Sequence, residues 1–274
     1  MNIVYLGSDL LLGAFRFLHK NHRILALYTF HNTEDYFREN AIVELAEKNN
    51  IPVFYEPITE ARIRQHIEEE HCDLFFCGEY IYYLPVPEHT NFRGVNTHMS
   101  LLPEGRGYYP VEGAIESGLS ESGVTLHKIE PALDGGDILL QEKVLIKKEH
   151  DSIDLYLTCA AKAVEMLQLL MSDFEVYWQS AFPQGATRPY CKRFGQEKMV
   201  VSHELTCGEA QAIYRVHNQE TRVQIGGIWR YVAGMTASSV SIGREHADIR
   251  FIREDRILYP LADGHLRLFL ERDE

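Results

Sequence analysis

No run of apolar residues in this chain reaches the ~20 needed to span a bilayer, so a helical membrane anchor is not expected. The opening residues, MNIVYLGSDLLLGAF, carry no basic lead and no small-residue cleavage site, which predicts no secretory leader and a cytoplasmic setting. Cysteine is scarce and odd in number: Cys72, Cys77, Cys159, Cys191 and Cys207 are scattered, so reduced thiols are expected rather than a disulfide framework. Only Cys72 and Cys77 approach zinc-ligand spacing, and they flank an apolar run with no second ligand pair nearby. They read as buried strand residues, and no metal site is expected. Positive charge is also short. With 27 Lys and Arg against 40 Asp and Glu, the net charge is −13. Nucleic-acid binders concentrate basic residues, and the longest cluster here is TRPYCKRF at 187–194, so a large RNA or DNA partner is not expected. A small anion needs only a few local cations and stays open. The glycine fingerprint of dinucleotide folds is missing too: LGSDLLLG lacks its second close-packed glycine, which argues against NAD.

What is present is alternation. Residues 2–6 read as a buried strand, and SDLLLGAFRFLHK as a helix capped by Ser8 or Asp9. A strand at 23–30, a helix through YFRENAIVELAEKNN, the short IPVFYE, a helix at about 59–70, and strands at 72–78 and 94–98 follow. Strands and helices at this spacing predict βαβ units and a parallel sheet covered on both faces. A short helix at 110–117 stops at Gly118, and 123–129 and 138–146 read as strands. A long helix capped by Asp151 or Ser152 should bury Ile153, Tyr156, Leu157, Ala160, Val164, Leu167 and Met171. The texture then changes. GATRPY reads as a linker, and past residue 200 come TRVQIGGIWRYVAGM, ADIRFIRED and RILYPLADGHLRLFL, with LADGH as a hairpin turn. The expected layout is a domain over 1–185, a linker over 186–200 and a small β-rich domain over 201–274. Trp229 and Tyr231 share a strand face there and are expected in that domain's core or a dimer interface, with an acceptor pocket as the other reading.

Two stretches carry chemistry. In GVNTHMSLLPEGRGYYP, residues 94–110, strand alternation sets Asn96 and His98 on one face at a strand end. They could be satisfied polar residues or an amide and an imidazole aimed at a substrate. In EPALDGGD, residues 130–137, Asp134 precedes two glycines that permit close backbone approach. An Asp-Gly turn and a pocket-facing carboxylate both fit. His127 reads as a strand residue without a catalytic role.

Jointly, Asn-x-His, Ser-Leu-Leu-Pro, the glycine-rich loop, Gly-Val-Thr and Leu-Asp-Gly-Gly resemble the folate-dependent formyltransferase family, over roughly residues 1–195 and most closely over 94–141. The appearance is closest to its nucleotide-sugar N-formyltransferases. The resemblance implies an α/β fold with a Rossmann-like, mainly parallel sheet. It also implies formyl transfer from N10-formyltetrahydrofolate to an amine, with Asn96, His98 and Asp134 as catalytic residues and no metal. By the same resemblance, Tyr80, Ile81, Tyr82, Ser100, Leu101, Leu102, Pro103, Glu130, Pro131, Ala132 and Leu133 would hold the folate. Arg106, Tyr108 and Tyr109 would contact acceptor or folate, or are simply solvated loop residues. The implied acceptor is a nucleotide-linked amino sugar, first a dTDP-3- or 4-amino-dideoxyhexose, of the kind used in surface polysaccharides such as O-antigen. An amino-acid or siderophore amine, or a non-catalytic folate-binding protein, are the alternatives. A homodimer is expected through the C-terminal strands.

Overall fold

The computed structural model describes residues 1–31, 40–88, 91–185, 190–191, 194–237, 250–253 and 255–271. The start of the expected helix before residue 40, most of the GATRPY linker and basic cluster, and the ends of ADIRFIRED lie outside the described residues. The chain divides into two compact units. One comprises Met1–Val111, Ser120–Leu145 and Tyr156–Cys191; the other Glu112–Leu119, Ile146–Leu155 and Lys192–Glu274.

The first unit is built on seven strands: β1 (Asn2–Gly7), β2 (Arg23–Tyr28), β3 (Val53–Phe54), β4 (Leu74–Gly78), β5 (Gly94–His98), β6 (Glu121–Lys128) and β7 (Ile138–Leu145). Their order is β3-β2-β1-β4-β5-β6-β7. β1, β2 and β4 are buried along almost their whole lengths, as uninterrupted apolar strands in a sheet covered on both faces must be. All pairings from β3 to β5 are parallel. β6 then runs antiparallel to β5, and β7 antiparallel to β6, so the sheet is mainly parallel, as the resemblance implies. That reversal sets Asn96 directly opposite His127, and His98 opposite Thr125.

The helices are α1 (Leu12–Asn21), α2 (Ala41–Lys48), α3 (Glu60–Glu68), α4 (Pro110–Glu116), α5 (Ser152–Ser172) and α6 (Phe174–Gln179). The expected cap of α1 is not made: Ser8 has no side-chain cap bond, and one 3₁₀ turn at Asp9–Leu11 precedes the helix. Asp9 instead accepts from the backbone amides of Ala41 (3.2 Å) and Ile42 (2.7 Å). Its carboxylate therefore satisfies orphan donors at the start of α2, where the helix dipole also favours a negative charge. The cap of α5 is as expected, Asp151 accepting from the Asp154 amide at 2.9 Å. The buried stripe of α5 is rotated from the expected one. Cys159, Ala160, Ala163, Met166, Leu167 and Leu170 are buried, whereas Leu157 is 50% exposed. Small side chains form much of the seam, and the bulkier Leu157 drew the reading away from it.

The second unit holds β8 (Val200–Val201), α7 (Cys207–His217), β9 (Arg222–Ile225), β10 (Ile228–Ala237), β11 (Arg250–Arg253), β12 (Arg256–Pro260) and β13 (His265–Leu270). Its sheet runs β11-β12-β13-β10-β9-β8 over a core that includes Val201, Ala210, Val223, Val232, Ile257, Tyr259 and Leu268. The LADGH hairpin is as expected, and a second turn at Gly226-Gly227 divides TRVQIGGIWRYVAGM into β9 and β10. Helix α7 is not among the sequence expectations, although Thr206 and Glu209 close a reciprocal capping box at its start. Trp229 and Tyr231 are not core residues: they are 50% and 48% exposed, with the Arg222 guanidinium over both rings.

Asp9→Ala is expected to lower unfolding stability by about 1 kcal/mol, the ordinary cost of a lost N-terminal cap. Urea unfolding measures it, and an unchanged midpoint would show that α2 does not depend on this carboxylate.

Candidate active site

At the end of β5 the chain leaves Asn96 half-buried and His98 buried, both facing polar residues of β6 and the loop after it. The Asn96 amide Nδ2 lies 3.0 Å from His127 Nε2. His98 Nε2 donates to the Gly105 carbonyl at 2.7 Å. A carbonyl can only accept, so the proton sits on Nε2 and leaves Nδ1 turned toward Asp134 Oδ1, 3.8 Å away. His127 Nε2 stands 3.9 Å from the same oxygen. The other carboxylate oxygen accepts from the Gly107 amide at 2.8 Å.

Asp134 reaches this position through its loop. It adopts a left-handed backbone conformation (φ 47°), which Asp tolerates better than most residues. Gly136 passes so close to β6 that a Cβ there would fall 1.9 Å from the Lys128 carbonyl oxygen. The Gln184 side chain donates to the carbonyls of both Asp134 (2.7 Å) and Gly136 (2.8 Å). Arg106, only 5% exposed, reaches in from the facing loop. Its Nη2 donates to the Leu133 carbonyl (2.8 Å) and the Tyr190 hydroxyl (3.2 Å), and the guanidinium lies 4.9 Å from the Tyr190 ring centre. The Gly-Arg-Gly loop thus grips the site three times: Gly105 holds His98, Arg106 braces the residue before Asp134, and Gly107 holds Asp134.

The remaining expected residues divide by position. The Tyr83 hydroxyl donates to the Pro131 carbonyl at 3.0 Å, which joins the 80–83 loop to the 130–133 loop. Glu130, Pro131, Ala132 and Leu133 are exposed, as is Ile81, and Tyr82 is half-buried. Tyr80 turns inward: its ring packs on the β-sheet core and its hydroxyl accepts from the Ile58 amide at 3.1 Å. Ser100 and Leu102 are buried and knit to β6 and β7. The Ser100 carbonyl accepts from Thr125 at 2.6 Å, and the Leu102 carbonyl from Gln141 at 2.9 Å. Leu101 and Pro103 are half-buried beside them. Tyr108 is exposed, Tyr109 half-buried with φ 55°, and Arg106 is committed inward as described.

His127 is the residue that sequence reasoning missed. The signal was there: Thr125 and His127 alternate on either side of Leu126 in β6, and both are buried. Burial pushes the His127 imidazole well below its ordinary range, overriding the upward pull of Asp134. Among the described residues no group of three or more His, Cys, Asp or Glu side chains is placed to hold a metal ion. None of their helices is long and apolar enough to cross a membrane.

Two outcomes follow from this geometry. Below the ordinary imidazole value of 6.5, unfolded His127 takes up a proton that the folded site resists. The unfolded state then binds more protons, so stability falls as pH falls from 6.5 toward the lowered folded value. His66 and His217, lowered by burial, add to the same trend. Urea midpoints at pH 7 and pH 5 test it, with His127→Gln expected to flatten the difference. Gly136→Ala should displace the Asp134 loop and abolish the site's chemistry, since the blocking atom is backbone. A fully active Gly136→Ala protein would show that the loop yields without cost.

Comparison with known proteins adds the family. The profile of the family described as Formyl transferase matches residues 32–170, just over half of the chain and all four polar residues above. A methionyl-tRNA formyltransferase of Coprothermobacter proteolyticus is 36% identical over 117 residues, 43% of this chain and 38% of that protein. One from Bdellovibrio bacteriovorus is 30% identical over 184 residues, 65% of this chain and 58% of that protein. The chain thus spans roughly two fifths to three fifths of the curated relatives it matches. Among solved structures, an N-formyltransferase from Helicobacter canadensis in complex with folinic acid and dTDP-3-aminofucose has a TM-score of 0.68 at 20% identity and covers 99% of each chain. WlaRD, a sugar 3N-formyl transferase seen with dTDP and 5-N-formyl-THF, has a TM-score of 0.66 at 19% identity over 100% of this chain and 99% of its own. These two likenesses speak for the fold. With the matched segment carrying Asn96, His98, His127 and Asp134 into one buried cluster, the chain belongs to the formyl transferase family.

Proposed function

We propose that this protein transfers the formyl group of N10-formyltetrahydrofolate to the amine of a nucleotide-linked amino sugar. The observation that carries the chemistry is the His98 imidazole, its Nε2 fixed on a carbonyl and its Nδ1 turned toward a buried carboxylate, beside the Asn96 amide. As the amine nitrogen bonds to the formyl carbon, negative charge gathers on the formyl oxygen, and the free N–H of Asn96 is a donor for it. His98 Nδ1 takes the proton released by the attacking amine and returns it to N10 as the C–N10 bond breaks, leaving the formamide and tetrahydrofolate. Asp134 compensates the imidazolium formed between these steps. The exposed apolar faces of Ile81 and Leu133, on loops tied by Tyr83, suit a flat heterocycle.

For the acceptor, the end-to-end coverage of this chain by two sugar-formylating structures supports a nucleotide sugar, since it takes in the C-terminal unit. A second reading, methionyl-tRNA, is favoured by the curated relatives and by where the charge lies. Residues 192–274 carry 12 Lys or Arg against 12 Asp or Glu, so the whole acidic excess falls in residues 1–191. The C-terminal segment is therefore not itself acidic.

The test is transfer from N10-formyltetrahydrofolate to a panel of dTDP-, UDP- and GDP-linked amino sugars and to methionyl-tRNA, read by product mass and tetrahydrofolate release. Formylation of a nucleotide sugar, lowered about 10²- to 10³-fold in Asn96→Ala, is the expected result. Transfer to methionyl-tRNA alone would replace the acceptor, and folate binding with no transfer would end the catalytic reading.

A further inference from the structure

We infer that His127 is a positioning residue: a neutral imidazole whose Nε2 lone pair fixes which end of the Asn96 amide faces the reacting group. The inference deepens the proposed formyl transfer and rests on it for its catalytic consequence.

It comes from donor and acceptor accounting. His127 Nδ1 lies 2.8 Å from the Lys128 carbonyl oxygen, which can only accept, so Nδ1 carries a proton. The ring is 2% exposed and burial disfavours a second proton. Nε2 is then a bare acceptor, and the group beside it at 3.0 Å is the Asn96 side-chain amide. Of the two ends of that amide only the NH₂ can satisfy the lone pair; the oxygen would meet it with like charge. One N–H goes to His127, the oxygen is turned away, and the second N–H is left for a ligand. An amide without this neighbour can rotate by half a turn and present an acceptor where a donor is needed.

Of the groups facing the pair, Asp134, 3.9 Å from His127 Nε2, draws a proton toward that nitrogen, an attraction that burial outweighs; His98 packs edge-on with ring centres 6.4 Å apart. Arg106 and His98 both oppose a positive charge on His127. The antiparallel register of β5 and β6 puts Asn96 and His127 directly opposite, so the contact is set by backbone pairing. His127 reaches no substrate atom in this scheme; it acts through Asn96.

Three measurements separate this from a structural role. In the protein labelled with ¹⁵N-histidine, the His127 ring, assigned by its loss in His127→Gln, should show a protonated Nδ1 and an unprotonated Nε2 at neutral pH. The opposite tautomer, or an imidazolium, would overturn the inference whatever the enzyme's acceptor proves to be. In the formyl-transfer assay, His127→Leu should lower kcat about 10- to 100-fold with KM for the folate little changed, and His127→Gln, which keeps an acceptor, should recover most of the loss. With Asn96→Ala as background, His127→Leu should cost less than about 3-fold more, because the residue acts through a group already gone. Full multiplication of the two losses would mean that His127 works independently of Asn96. If His127→Leu does not fold, His127→Gln in the same cycle and the ring tautomer decide. If the wild-type protein transfers no formyl group, the function fails separately, and the tautomer with the Asn96 side-chain amide resonances, shifted or unmoved in His127→Gln, still judges the positioning.

Discussion

A carboxylate that is all but removed from water must be answered by its neighbours, and the arrangement around Asp134 follows from that demand. An unpaired buried charge is costly, so the residue needs donors aimed at it from fixed places. The Gly107 amide supplies one directly; the other oxygen faces two imidazole nitrogens at 3.8 and 3.9 Å, which donate to it only when their ring takes up a second proton. Meeting the demand requires the loop to double back on the strand it has just left. Lys128 and Asp137 close its base through a 2.9 Å backbone bond, and Gly136 fits against Lys128 where no side chain could. Asp134 and, in the Gly-rich loop, Tyr109 both hold left-handed backbone geometry. Such strain persists where surrounding contacts over-determine it, and here Gln184, Arg106 and Gly107 do so.

The sheet prepares the same site from the other side. Up to β5 every strand is parallel, so a strand end like that bearing His98 opens at one edge of the sheet. The reversal at β6 then lays a second strand's polar positions across from the first. Asn96 meets His127, and Thr125, opposite His98, donates to the Ser100 carbonyl and accepts from the Leu102 amide. The Ser-Leu-Leu-Pro turn is thereby a floor, bound through Thr125 and Gln141, and its buried Ser100 and Leu102 point into packing. Backbone pairing sets the positions of these polar groups, which frees their side chains for the network.

Much of this was readable from residue order. Uninterrupted apolar strands announced a doubly covered sheet, and the glycines around Arg106 and after Asp134 announced close approach. The reversal of β6 was not readable, because alternation gives a strand's faces and says nothing of its direction. His127 was lost with it: until β6 is known to oppose β5, a histidine within a strand has no partner to suggest a task. Asp9 was misplaced for a related reason. A carboxylate near a helix start is read as that helix's cap, while here it satisfies donors some thirty residues on. Arg106 is not the solvated loop residue that one reading of the sequence allows: it is 5% exposed, and its bonds to Leu133 and Tyr190 turn it inward. Helix α7 was written in its capping box and passed over because the strands around it dominate the pattern.

Two histidines and one carboxylate in a dry cluster pose a last question: which ring handles the proton. Each imidazole has one nitrogen bonded to a backbone carbonyl, His98 through Nε2 and His127 through Nδ1, and each turns the other nitrogen toward Asp134 Oδ1. The two therefore compete for one counter-charge. Asn96 breaks the tie. By donating to His127 Nε2 it occupies the lone pair that a proton would need, and burial works in the same direction. His98 Nδ1 has no such tenant in the hydrogen bonds described above, and it stands at the end of the strand rather than behind Asn96. A single carboxylate can serve one imidazolium well and two poorly. The proposed division of roles, one ring to move a proton and one to hold an amide still, then rests on hydrogen-bond supply together with burial.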